Sequence, residues 1–130
     1  GRHRVEDRAE SENLMSSIQR FDVGARLSEM AVHNGTVHLA GQVPGDATQD
    51  MAGQTKQVLA AIDALLARAG SDKSKILMAQ IFIADMAEFA AMNAVWDGWV
   101  VAGHTPPRAT VQARLGKTEW KVEIVVTAAV

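Results

Sequence analysis

The chain has 130 residues, with 13 Lys and Arg against 15 Asp and Glu and a formal net charge of −2, a length suited to one domain with a single core. A near-neutral balance gives no electrostatic footprint for nucleic acid or an anionic membrane surface, and no apolar run is long enough to span a bilayer. Cysteine is absent, which excludes disulfides and thiol catalysis and fits a cytoplasmic setting.

The first fourteen residues, GRHRVEDRAESENL, are charged and lack hydrophobic periodicity. They are expected to be an added leader or a disordered arm, with residues 15–130 forming the one domain. From Met15, MSSIQRFDV begins a strand-like alternation. EMAVHNGTVHLAG reads as a hairpin, because Asn34-Gly35 can take the two positive-φ positions of a type I′ turn. That turn pairs Val32 with Val37 and Met30 with Leu39 on one face, and leaves Ala31, His33, Thr36, His38 and Ala40 on the other.

After the turn-rich GQVPGDATQD, apolar residues recur at Met51, Val58, Leu59, Ile62, Leu65, Leu66 and Ala69, one face of a helix that Gly70 stops. KILMAQIFIAD is apolar at both parities, with Ile76, Met78 and Phe82 on one side and Leu77, Ala79, Ile81 and Ile83 on the other. A strand of this kind needs cover on both faces. Asp85 and Glu88 stand at capping-box spacing before a second helix. Its stripe is Phe89, Met92, Trp96 and Trp99, and Gly103 and Pro106 end it. Two strands follow, with Leu115 to Glu119 as their turn.

The order β-β-β-α-β-α-β-β makes an α+β domain, one mixed six-strand sheet with two helices on one face. The other face, carrying Ala31, Ala40, Thr110, Val125, Thr127 and Ala129, is too small and apolar for solvent. With Ile81 and Ile83 also counted as needing cover, that face is expected to pack against other subunits.

Few residues offer chemistry. His33, His38 and His104 lack a cysteine or a close acidic partner to complete a metal set, AGSDKSK has neither the glycines nor the spacing of a phosphate loop, and no nucleophile elbow is present. Arg108 stands out, because Pro106 and Pro107 hold the start of its strand in an extended conformation. Alternation puts Arg108, Thr110 and Gln112 on one face of that strand, and Glu123 points out of the last strand. The expectation is that Arg108 and Glu123 share the subunit-contact face. They are then either a simple ion pair, the default from composition alone, or a site.

AGQVP, FAAMNAVWDGW, PPRATVQARL and KVEI, in this order and spacing, resemble the RidA/YjgF family of reactive-intermediate deaminases. AMNAVWDGWVVAGHTPPRATVQA is most similar to its YoaB-like, RutC-related branch. The resemblance implies a chorismate-mutase-like fold, a homotrimer with its sheets around a central barrel, and three clefts between subunits. It also implies hydrolysis of 2-imino acids or their enamine tautomers to 2-oxo acids and ammonia, with no cofactor and no metal. Arg108 matches the arginine that binds the substrate carboxylate, Glu123 the glutamate that handles the attacking water, and Asn93 an asparagine of the second helix. Gly41 and Gln42 match a Gly-Gln pair after the third strand.

The best-known members carry a tyrosine before the second strand, a serine before the Gly-Gln pair and a cysteine two residues after the arginine. Here the corresponding positions are Glu29 or Met30, then Ala40, then Thr110, and the chain has no tyrosine. Thr110 still offers a hydroxyl, so Ala40 and Thr110 join Arg108, Asn93 and Gly41 as the implied substrate wall. The same clefts also suit a non-catalytic trimer that binds small carboxylates as a sensor or regulator.

Overall fold

The computed structural model describes residues 17–130. The leader expected over residues 1–14 lies outside the described residues. The strands are β1 (Gln19–Val23), β2 (Ser28–His33), β3 (Thr36–Leu39), β4 (Ile76–Ile83), β5 (Arg108–Gln112) and β6 (Val122–Ala129), and the helices are α1 (Met51–Arg68) and α2 (Phe89–Trp99). They form one sheet of order β1-β2-β3-β6-β4-β5, with β4 and β5 parallel and the other neighbours antiparallel. No helix among the described residues is long and apolar enough to cross a membrane.

Local chemistry sets the element ends. Asn34 and Gly35 have φ values of 50° and 76°, the conformation a type I′ turn demands, and the hairpin pairs Met30 with Leu39 and Val32 with Val37 as expected. Asp50 starts α1 by accepting the Gly53 amide at 2.9 Å. Gly70, at φ 77°, ends it. There the Ser71 amide reaches the Leu66 carbonyl at 2.8 Å and the Gly70 amide the Ala67 carbonyl at 3.1 Å, the paired bonds of a Schellman stop. Leu59, Ile62 and Leu66 are at most 1% exposed on the sheet side of α1, and each such side chain contributes about 1.5–3 kcal/mol by burial.

The capping box expected at Asp85 and Glu88 does not form. Asp85 instead accepts the Ala87 amide at 2.9 Å in a 3₁₀ turn over Met86–Glu88, and α2 begins only at Phe89. Glu88 is drawn to the cation before β6, where its carboxylate lies 3.2 Å from Lys121 Nζ.

Register corrects which residues need cover. Ile81 lies opposite Ile124 and Ile83 opposite Val122, and all four are fully buried under the helices. The expectation that Ile81 and Ile83 await another subunit is therefore overturned. Thr110 pairs with Ile81 and Arg108 with Ala79, so both belong to the helix-covered face and not to the open one. Ile76 also joins the helix face, because an irregularity between Ile76 and Met78 breaks the alternation. The open face retains Met78, Gln80, Phe82, Glu123, Val125, Thr127 and Ala129, with Ala31 and Val111 on the flanking strands. Met78 is 48% and Val111 41% exposed.

Candidate functional site

Arg108 opens β5, the edge strand, directly after the two prolines. The Pro107 carbonyl accepts the Ala79 amide at 3.0 Å, which fixes the backbone where the guanidinium leaves the sheet. The half-buried guanidinium then reaches α2. Its Nη1 donates to Asn93 Oδ1 at 2.7 Å, and its carbon lies 5.2 Å from the centre of the Trp96 ring and 5.9 Å from that of Phe89. A guanidinium has five N–H donors. Asn93 takes one, and among the described residues no carboxylate lies within ion-pair distance of Arg108. The aromatic faces hold the charge without neutralising it, leaving the fork free for a planar anion.

Trp96 and Phe89 read in the sequence only as a core stripe. Their second role, as the surface on which the arginine rests, follows from packing alone. Asn93 lies on α2, one turn before Trp96. Thr110, two residues along β5 on the same face as Arg108, has a buried hydroxyl with no hydrogen-bond partner, a vacancy that costs about 1–3 kcal/mol unless another group fills it.

Glu123 is elsewhere. It pairs with Phe82 on β4, whereas Arg108 pairs with Ala79. β4 lies between their strands, and the two side chains project from opposite faces of the sheet. Two strand spacings and three residues of rise put them roughly 14 Å apart in one chain. The expectation that they share a face is thus wrong, and the simple ion pair falls with it.

Around Glu123 the chain is shaped closely. The Gln42 amide and carbonyl both bond to Ile124, at 2.8 and 3.1 Å, which brings Gly41 against the glutamate. A β-carbon at position 41 would lie 3.0 Å from Glu123 Cδ and 3.3 Å from Cγ, with a carboxylate oxygen closer still. Only glycine admits the carboxylate there. Buried Gln42 also donates to Glu29 Oε2 at 3.0 Å and to the Ala40 carbonyl at 3.0 Å. Met30 is 1% exposed core, so of the two candidates for the missing tyrosine only Glu29 is available to a site. Ala40 sits beside it, its amide donating to the Glu29 carbonyl at 2.9 Å. The chain therefore holds two separate groups of the candidate residues: Arg108, Asn93 and Thr110 at the β5 edge, and Glu123, Gly41, Gln42 and Glu29 at the open face. Among the described residues no group of three or more His, Cys, Asp or Glu is placed to hold a metal ion.

Comparison with known proteins agrees with this architecture. The family model described as Endoribonuclease L-PSP matches residues 17–130. The RutC family protein YoaB of Escherichia coli strain K12 is 52% identical over 114 residues, 88% of this chain and 99% of that one. A crystal structure of a YjgF-family protein from Neisseria meningitidis superposes with a TM-score of 0.86 at 48% identity, covering 88% of this chain and 96% of that one. At greater distance, a protein of Escherichia coli strain K12 named 2-iminobutanoate/2-iminopropanoate deaminase is 29% identical over 120 residues, 88% of this chain and 90% of that one. Matched along every described residue by the family model, and superposing on a YjgF-family structure over most of its length, the chain belongs to the Endoribonuclease L-PSP family, the RidA/YjgF group, with its RutC-type proteins as near relatives.

Proposed function

We propose that the chain is a hydrolytic deaminase of small 2-imino acids and their enamine tautomers, working in clefts between the subunits of a homotrimer. The observation that carries the reading is the Arg108 guanidinium, fixed by Asn93 and two aromatic rings yet without a carboxylate partner among the described residues. A held, unneutralised fork of this kind suits the carboxylate of a 2-imino or 2-oxo acid. Because Arg108 and Glu123 leave opposite faces of one sheet, they meet only if the β5 edge of one subunit abuts the open face of another. The uncovered Phe82, Val125 and Ala129 supply an apolar surface for that contact.

The chemistry asks for little beyond this arrangement. A protonated imine is electrophilic at carbon, and a water molecule adds to it as Glu123 accepts a water proton. The resulting carbinolamine is protonated on nitrogen, the C–N bond breaks to release ammonia, and the hydroxyl proton leaves as the carbonyl forms. Positioning of the carboxylate and the water supplies most of the acceleration, with no cofactor or metal in the scheme.

The test generates a 2-imino acid in place with an amino-acid oxidase and traps it with semicarbazide. The wild-type protein is expected to lower the trapped yield, and Glu123→Gln to bind 2-oxo acids normally while its rate falls roughly 10²-fold. Arg108→Ala is expected to weaken 2-oxo acid binding, incompletely rescued by Arg108→Lys, since an ammonium cannot reproduce the fork. Binding at Arg108 with no acceleration for any imino acid would instead assign the protein as a small-carboxylate sensor.

A further inference from the structure

A second cavity wall is built at the far end of β5. The loop joining β5 to β6 borders a half-open cleft of about 810 Å³ lined by Ala84, Gln112, Arg114, Leu115, Lys117 and Trp120, and no acidic side chain lines it. Neither Arg114 nor Lys117 has an ion-pair partner among the described residues. Arg108, Asn93 and Glu123 do not line it, and Arg108 stands at the opposite end of its strand, roughly 13 Å from Gln112.

Trp120 is held as a fixed wall. Its ring lies so close over Gly116 that a β-carbon there would sit 3.1 Å from Cζ3. Its backbone is clamped from both sides by Gln54, which is fully buried: Gln54 Oε1 accepts the Lys121 amide at 2.8 Å, and Nε2 donates to the Glu119 carbonyl at 3.0 Å. The Lys117 ammonium rests 5.4 Å from the indole centre. On the facing wall, Gln112 Oε1 accepts the Met86 amide at 2.8 Å.

We infer that this cavity binds a small molecule made of a planar ring joined to an anionic group, with the ring on Trp120 and the anion on Arg114 and Lys117. The volume lies in the range of small-molecule sites, about 300–1,000 Å³. An indole held rigid offers a stacking face at little ordering cost, and a guanidinium with no internal partner binds a carboxylate or a phosphate through two parallel bonds. The two cations, unopposed by any lining carboxylate, repel a cationic or dibasic ligand and give a neutral ring only the stacking contribution.

Calorimetry on the full chain tests this with 2-naphthoate and adenosine 5′-monophosphate, each beside its uncharged counterpart, 2-naphthalenemethanol or adenosine. At least one anion is expected to bind saturably and about tenfold or more tighter than its neutral analogue, the worth of charge-assisted hydrogen bonds. Whether the carboxylate or the phosphate binds tighter identifies the anionic group. Arg114→Ala is expected to remove that preference, and Trp120→Leu to weaken both members of the pair. Trp120→Phe keeps a ring should the leucine variant fail to fold, and retains binding. In the Arg108→Ala protein, which lacks the carboxylate site proposed for deamination, the saturable preference for the anion persists, so loss of the deaminase reading would not touch this site. Equal binding of the neutral analogue, an Arg114→Ala protein that titrates like wild type, abolition by Arg108→Ala, or no saturable binding of either anion at millimolar concentration would each overturn the inference.

Discussion

Gly41→Ala tests the glutamate's role more sharply than removal of the glutamate itself. The new methyl would meet Glu123 Cδ at 3.0 Å and Cγ at 3.3 Å, whereas carbon atoms settle about 3.5–4.0 Å apart. The carboxylate must therefore retreat by roughly 0.5–1 Å, because the 41–42 backbone is tied to Ile124 on both its amide and its carbonyl and yields less readily. Moving a half-buried glutamate off its rotamer costs about 0.5–1.5 kcal/mol. Replacing glycine by alanine returns about 0.4–1 kcal/mol through the unfolded chain, so stability should stay within about 1 kcal/mol of wild type. A catalytic group misplaced by ~1 Å can lose 10²-fold in rate. The semicarbazide-trap assay, run beside a urea melt, is expected to show a rate down by about that factor in a protein with a nearly unchanged midpoint. The double variant with Glu123→Gln should be hardly slower than either single variant, since both remove one function. A folded Gly41→Ala protein with the wild-type deaminase rate would refute the assignment of Glu123 to the water.

Other outcomes follow from the face assignments and from the exposed Asp22–Arg68 pair. Ile81→Ala should lower stability by about 2–4 kcal/mol in a denaturant melt, because Ile81 is fully buried in the helix-side core, while light scattering shows the assembly unchanged. Val125→Asp acts on the open face instead, and should reduce the proposed trimer to monomers by leaving a carboxylate unpaired in the contact proposed there; a stable wild-type monomer at micromolar concentration would remove the basis for shared clefts. The Arg68 hydrogen bond holds the Asp22 carboxyl below its usual value of 3.8. A depressed folded-state value adds stability above the unfolded value and loses it as pH falls through the folded one. The difference in urea midpoint between wild type and Asp22→Asn should thus be constant near neutrality and close only below about pH 4, with salt reducing it throughout because the pair is exposed.

The sequence was sufficient for most features set by neighbours along the chain, the capping box at Asp85 and Glu88 excepted. Asn34-Gly35 dictated the hairpin register because few residue pairs accept two positive φ angles, and the stripe from Met51 to Leu66 with Gly70 behind it marked α1 through periodicity and a left-handed stop. Pro-Pro-Arg announced an arginine at a stiff strand mouth, and the family resemblance attached a role to it. What the sequence left open was the face from which each strand's side chains leave the sheet. Alternation gives two sets per strand but not which set lies under the helices, and that choice belongs to partners distant in the chain. The pairing of β6 with β4 buries Ile81 and Ile83, and the parallel pairing of β5 with β4 carries Arg108 and Thr110 to the same side. Glu123, one residue out of phase with the buried Val122 and Ile124, goes to the other. Gln54 illustrates the same limit: a polar residue in a helical stripe looks like a solvent position, and the loop brought 65 residues along the chain adds its Glu119 carbonyl and Lys121 amide to the local Ala47 and Gln49 carbonyls to make it a buried tie. Long-range register, a property of hydrogen bonding between strands far apart in sequence, decided that the arginine and the glutamate of one chain leave the sheet on opposite faces.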